Sequence, residues 1–251
     1  MTWISLQGAC NARDLGGLPT IDGRTTRHGV LLRADNLQDL TDQDVQQLAE
    51  VSTVIDLRTG AEVEITGAGP LVAAGVTHRH LDLIPHGFDG RSELVERTIP
   101  DESAGEHAMD HYYIDYVRDA PDAIAEALRT IAAGPGAVLV HCAAGKDRTG
   151  VVIAIALGLV GVTRDAVVAD YARSAERIEQ IRDRLLGTEL YATDIARRSL
   201  DSMVPHADNM ERFLDRVDRE YSGMHGLAMA IGFDEESVAR LSRRLVDTLP
   251  E

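Results

Sequence analysis

The sequence predicts an α/β fold, with a central, mostly parallel sheet flanked by helices and a helical C-terminal part. Three observations carry that expectation. The runs TVIDL (53–57) and AVLVH (137–141) are near-continuously apolar, the composition of parallel strands buried on both faces. Strand-like and helix-like segments alternate through the first part of the chain. From Thr163 onward only helical patterns remain, the order expected of an α/β core with a helical extension.

Five strands are expected, at 3–7, 30–33, 53–57, 77–81 and 137–141. Arg13 and Asp14, followed by Gly16 and Gly17, read as a tight turn. Thr41 and Asp44 form a capping box that opens a helix toward Ala49. Pro121 stands where a first helical turn begins, and Gly134 closes that helix. Thr163 caps a long amphipathic helix through Ala175, and further helices are expected over 176–186, 207–221 and 235–248. The segments 67–75 and 86–105 read as loops, the second long enough to carry a function. There is no repeat, low-complexity tract or linker, so a single domain over 1–251 is expected.

The composition narrows the function classes. With 251 residues, 44% of them apolar, the chain can bury a proper core. Its 41 acidic and 25 basic residues give a net charge of −16, which repels nucleic acid and anionic lipid at long range. An anionic substrate must therefore be held by local positive groups. Two cysteines, Cys10 and Cys142, are too few for a disulfide framework and fit a reducing compartment. The longest apolar stretch, 151–162, falls well short of the roughly 20 residues that span a bilayer. No secretory signal is visible, so a cytoplasmic protein without a membrane span is expected, signal-independent export remaining open.

The chemistry is carried by residues 138–150, VLVHCAAGKDRTG. A buried strand ends at His141, a short turn follows, and an apolar helix begins near Arg148. Backbone N–H groups of such a turn point inward as a nest, and the helix N-terminus adds its positive dipole end. Gly145 permits the sharp bend. The result is a bowl for a tetrahedral dianion with Cys142 at its base, where the field favours the thiolate. Arg148, six positions on, can bind two phosphoryl oxygens at once. Thr149 can donate to the sulfur, and His141 organises the loop by hydrogen bonding. Ala143, Ala144, Gly145, Lys146 and Asp147, with Arg148 and Thr149, are the expected phosphate-binding set, open to phosphate or vanadate.

HCAAGKDRTG resembles the signature loop of the protein tyrosine phosphatase superfamily, His-Cys-x5-Arg-Ser/Thr-Gly. The Lys146-Asp147 insert, the segment NARDLGG at 11–17 and VIDLR at 54–58 resemble its bacterial branch of tyrosine, dual-specificity and lipid phosphatases. GVTRDAVVADYARS and GFDEESVARLSRRLV add weaker similarity, so that the likeness runs from about Leu6 to Leu245. The resemblance implies a phosphatase-type fold, two-step phosphomonoester hydrolysis through a phosphocysteine, and no cofactor. It implies phosphotyrosine protein as the leading substrate, with phosphoserine or phosphothreonine also accepted. Lys146 beside the bowl makes a phosphoinositide or inositol phosphate the runner-up. In mycobacterial members of that branch, helices fold over the pocket as a lid, and the matching region is about 184–205.

Other readings stand beside these. A buried cysteine after an apolar strand is commonly a core residue, and Cys10 is read that way. A silent phosphate-binding module and a rhodanese-like sulfurtransferase are the alternatives from other classes; intact Arg148 and Thr149 argue against both. No Trp-Pro-Asp loop exists, Trp3 being the sole tryptophan, so the general acid is sought among Asp147, Asp82 and Asp89. Asp147 is favoured for its position, although Lys146 and Arg148 on either side favour its ionised form. Arg13 is read as a structural ion pair near a turn, with a substrate-side role as its rival. Arg58 follows a strand at the edge where α/β ligands bind, with an ordinary surface arginine as its rival. His107 and His111, four apart, lack the glutamate and third ligand of a zinc site, so no metal is expected.

Overall fold

The computed structural model describes the backbone of residues 2–84 and 108–248, and their side chains except those of 108–112. Six strands form one sheet: β1 (Thr2–Trp3), β2 (Arg13–Asp14), β3 (Leu31–Ala34), β4 (Val51–Asp56), β5 (Thr77–His80) and β6 (Ala137–His141). Their order is β1-β2-β3-β6-β4-β5. The pairs β3–β6, β6–β4 and β4–β5 are parallel, while β1 and β2 add an antiparallel edge. The sheet is thus mostly parallel, as the apolar runs predict.

Alternation along the strands sends neighbours to opposite faces. Val138 and Val140 join one core with Ile55, while Leu139 and Ala137 join a second with Val54 and Leu32. The first face is covered by α4 (Ala108–Asp119), α5 (Pro121–Ala133), α6 (Asp147–Leu159), α7 (Arg164–Ala172), α11 (Ala207–Tyr221), α12 (Met224–Ala230) and α13 (Glu235–Leu245), whose apolar residues share that core. The second carries α1 (Asp42–Gln47) and α3 (Pro70–Ala73). A further group, α8 (Ile178–Leu186), α9 (Glu189–Ala196) and α10 (Leu200–Met203), forms a third apolar cluster. α2 (Gly60–Thr66) follows β4. No helix among the described residues is long and apolar enough to cross a membrane.

Several local expectations need correction. The strand expected at 3–7 is only Thr2–Trp3, and Arg13–Asp14 is a strand rather than a turn, because it pairs with Arg33 and Leu32. The loop expected at 67–75 holds α3, started by Pro70 at its first position. The helix after Thr163 ends at Ala172, and residues Arg173–Arg177 tighten into a 3₁₀ turn that buries Ser174. Thr163 flanks that helix without a side-chain cap bond. The last helix stops at Leu245 because Val246 pairs with Thr26 as a β-bridge. The expected loop 86–105 lies outside the described residues.

Candidate active site

Register places the site. Ala34, His141 and Asp56 lie abreast at the C-terminal ends of β3, β6 and β4. Cys142 therefore leaves the sheet between two parallel neighbours, at the edge where α/β folds bind ligands. It is buried, as are Ala143, Ala144, Arg148 and Thr149. Gly145 takes φ +67°, and a Cβ there would stand 2.3 Å from the carbonyl oxygen of Ala34. Only glycine fits that approach.

The loop is tied from behind through its carbonyls. Asn36 N–H donates to Ala143 O at 3.0 Å, Asn11 Nδ2 to Ala144 O at 3.0 Å, and an Arg33 guanidinium nitrogen to Gly145 O at 2.7 Å. With the carbonyls held outward, the N–H groups of 143–148 are left without an acceptor among the described residues. That is a nest for an anion. The ties are themselves anchored by charge. Arg13 and Arg33 both pair with Asp170 of α7, all three wholly buried. Arg13 also donates to Asn11 Oδ1 at 2.7 Å. Burial pushes the Asp170 carboxyl up, but the two guanidinium groups outweigh it and hold it below the usual range. Burial and then Arg33 lower Arg13 to about 10, still charged at neutral pH.

Arg148 is fixed by a partner from α2. Its two terminal nitrogens reach Glu62 Oε2 at 2.6 Å and Oε1 at 3.1 Å, and Tyr191 of α9 donates to Oε1 at 2.8 Å. Glu62 is placed by a capping box with Thr59. Burial pushes its carboxyl up, yet Arg148, the Thr59 amide and the Tyr191 hydroxyl hold it below the usual range. His141 is buried, which lowers its pKa and favours the neutral ring. Its Nδ1 faces the Cys142 carbonyl oxygen at 3.2 Å. A carbonyl only accepts, so Nδ1 carries the hydrogen and Nε2 faces Asp56 at 3.6 Å. Asp56 is also gripped by both sides of the Arg58 fork.

Asp147 opens α6. Tyr113 donates to its Oδ1 at 2.6 Å, and Lys146 Nζ lies 3.4 Å from Oδ2. Lys146 Nζ also donates to the Met203 carbonyl of α10 at 2.9 Å, so this cation is turned to the helices in front of the loop. Asp82 has both oxygens on backbone amides, of Gly60 at 3.0 Å and Ile84 at 2.7 Å. Asp89 and His107 lie outside the described residues, as does the side chain of His111. Among the described residues no group of three or more His, Cys, Asp or Glu is disposed to hold a metal ion.

The geometry thus gathers Cys142, the loop 143–149, His141 and Asp147 at one sheet edge. Arg13 is a buried ion-pair residue in a strand, not beside a turn, and supports the loop from behind. Arg58 is wholly buried, so its surface alternative fails; it braces Asp56, Asn36, Thr66 and the Gly67 carbonyl. The expected bond from Thr149 to the sulfur is not made: Thr149 Oγ1 is buried with no hydrogen-bond partner among the described residues. Sequence reasoning missed Glu62, Tyr191, Tyr113, Tyr171, Asn11, Arg33 and Asp170. For Glu62 a signal existed, since Thr59-x-x-Glu62 is the same capping pattern read at Thr41. The others reach the loop only through tertiary packing.

A cysteine at a strand end, a row of loop amides and an arginine held by Glu62 thus meet at one edge of the sheet. Residues 4–247 match the model of the tyrosine phosphatase family, and the chain belongs to that family. Two relatives sharpen the comparison. The chain is 29% identical to the triple specificity protein phosphatase PtpB of Mycobacterium tuberculosis, over 94% of this chain and 96% of that protein. It is 27% identical to a tyrosine-protein phosphatase of Nostoc commune, over 85% of this chain and 73% of that one.

Proposed function

We propose that the chain hydrolyses phosphotyrosine on proteins through a phosphocysteine on Cys142, without a metal. The observation that carries this reading is the loop with its carbonyls tied outward, which leaves a row of amides around the cysteine. The Cys142 thiolate attacks phosphorus while the loop amides and Arg148 stabilise the equatorial oxygens. Asp147 gives its proton to the leaving oxygen, then takes one from the water that cleaves the P–S bond and releases phosphate. Thr149, its hydroxyl free, donates to the sulfur as the thiolate leaves. His141 holds the loop through the Cys142 carbonyl.

The second reading is that phosphoserine, phosphothreonine or a phosphoinositide is also taken. Lys146 beside the loop and the name of the Mycobacterium tuberculosis relative favour it. We further place the protein in the cytoplasm as one domain, with 184–205 acting as a lid on the site. Two free cysteines and the apolar contact of α8–α10 with Ala143 and Ala144 support these readings.

Phosphate release from a panel of phosphopeptides and phosphoinositides tests the function, with wild type against Cys142→Ser. Tyrosine phosphopeptides should turn over fastest. Faster release from a phosphoinositide would make the second reading the principal one. Turnover of thiosulfate but not of phosphoesters would refute both.

A further inference from the structure

Asp147 is held by a buried chain of hydroxyls. Tyr113 of α4 is fully buried and stands 2.6 Å from Asp147 Oδ1 and 2.6 Å from the hydroxyl of Tyr171 in α7. Tyr171 in turn bonds the side chain of Asn209 in α11. Each phenol has one hydrogen, and an ionised carboxylate only accepts. The directions follow: Asn209 donates to Tyr171, Tyr171 to Tyr113, and Tyr113 to Asp147 Oδ1. Burial, and then the charge of Asp147, pushes the Tyr113 hydroxyl well above its ordinary value, so it remains a donor. The edge of the Tyr171 ring closes the arrangement against α6, where a Cβ on Gly150 would stand 2.9 Å from it.

We propose that Tyr113, backed by Tyr171, is a positioning residue that keeps the transferable proton of Asp147 on Oδ2. The inference rests on the reading of Asp147 as general acid. When Asp147 is protonated, the oxygen that accepts from Tyr113 keeps its carbonyl character, and the hydrogen occupies the other oxygen. Oδ2 is the oxygen that Tyr113 leaves open, 3.4 Å from Lys146 Nζ. In the first step the S–P bond forms, the P–O ester bond breaks, and the Oδ2 proton passes to the leaving oxygen. In the second step Oδ2 accepts the proton of the attacking water as the P–S bond breaks. Without Tyr113 either oxygen can carry the proton and the carboxyl can turn, so fewer encounters present it to the ester.

The test is a double-mutant cycle read on two substrates, phenyl phosphate and p-nitrophenyl phosphate. Tyr113→Phe keeps the ring and removes only the hydroxyl. It should lower kcat/KM, which reads the step that forms the phosphocysteine, about 10-fold for phenyl phosphate, the effect of one hydrogen bond to a charged group. On p-nitrophenyl phosphate, whose leaving group needs no proton, the loss in kcat/KM should be under about 2-fold. Tyr171→Phe should show the same selectivity more weakly, and it carries the test if Tyr113→Phe does not fold. In Asp147→Asn the tyrosine change should add nothing further. Equal losses on both substrates, or an undiminished loss in the Asp147→Asn background, would overturn the positioning role. If Asp147→Asn itself slows both substrates equally, the reading of Asp147 as acid fails, and the inference with it.

Discussion

Behind the loop 142–148, Arg13, Arg33 and Asp170 meet in a fully buried cluster, and the loop carbonyls hang from Asn11, Arg33 and Asn36. In front, α8–α10 lie on Ala143 and Ala144 with Ile181, Leu185, Tyr191 and Met203, joined by polar tethers at the rim: Tyr191 to Glu62, Lys146 to Met203, and the part-exposed Arg184 of α8 to Asp35, Asp39 and the Asn36 carbonyl. The two sides differ in what loosening them would cost. A buried ion cluster cannot lose one member without leaving an uncompensated charge, about 3–5 kcal/mol per truncation. Apolar contacts of half-exposed helices can open and re-form at far lower cost. The back fixes the geometry of the bowl, and the front is where access can be regulated.

Cys142→Ser gives the largest expected effect and leaves both sides intact. Turnover should vanish while vanadate affinity, measured by calorimetry, survives because the amides remain. Arg148→Ala should lose at least about 10²-fold in rate and weaken vanadate binding as well, since its fork is part of the bowl. A Cys142→Ser protein with near wild-type turnover would end the covalent mechanism.

Next comes the back. Asp170→Asn leaves Arg13 and Arg33 as like charges without their carboxylate, and should cost about 3–5 kcal/mol in denaturant unfolding. A loss below about 1 kcal/mol would mean that the two sides are not built differently. On the front, Tyr191→Phe removes one donor to the ionised Glu62 and should cost about 1.5–3 kcal/mol. Hydrogen exchange over 178–203 should then quicken, and in the wild type it should slow when vanadate binds. Exchange that ignores both would make these helices ordinary packing rather than a lid.

The smallest effect is in the response to acid. Asp56, Glu62 and Asp170 are buried, which raises a carboxyl, but arginine and hydrogen-bond donors hold all three below the usual range. Groups with depressed pKa contribute stability above the unfolded value near about 4 and lose it as pH falls through their folded values. The melting temperature should therefore be steady from pH 8 to about 5 and fall below about 4. Asp170→Asn should flatten that fall.

What the sequence revealed follows the range of the interactions. The loop 142–149 was legible because strand, glycine, cysteine and arginine are contiguous and their spacing dictates the geometry. The parallel strands were legible from composition alone. The capping box at Thr41 was read and its twin at Thr59 was not, though the same pattern places Glu62 against Arg148. The ion pair expected of Arg13 is present, but its strand is not legible, because two residues carry no periodicity and glycines nearby mimic a turn. Tyr113 and Tyr171 acquire their roles only from partners on other elements, and local patterning holds no trace of those partners.

The ties on the loop carbonyls bear on how the chain becomes competent. Asn11 and Ala144 are 133 positions apart, and Arg13 and Asp170 are 157 apart. Synthesis from the N-terminus delivers the anchors first, the cysteine much later, and the carboxylate that neutralises the two arginines later still. A nascent chain that ends before Asp170 holds the complete sequence of the loop but lacks the carboxylate that Arg13 and Arg33 share. Contacts of such separation are also slow to form, since loop closure comes before any reward. The full set of ties around Cys142 is thereby available only once the chain has been made through Asp170.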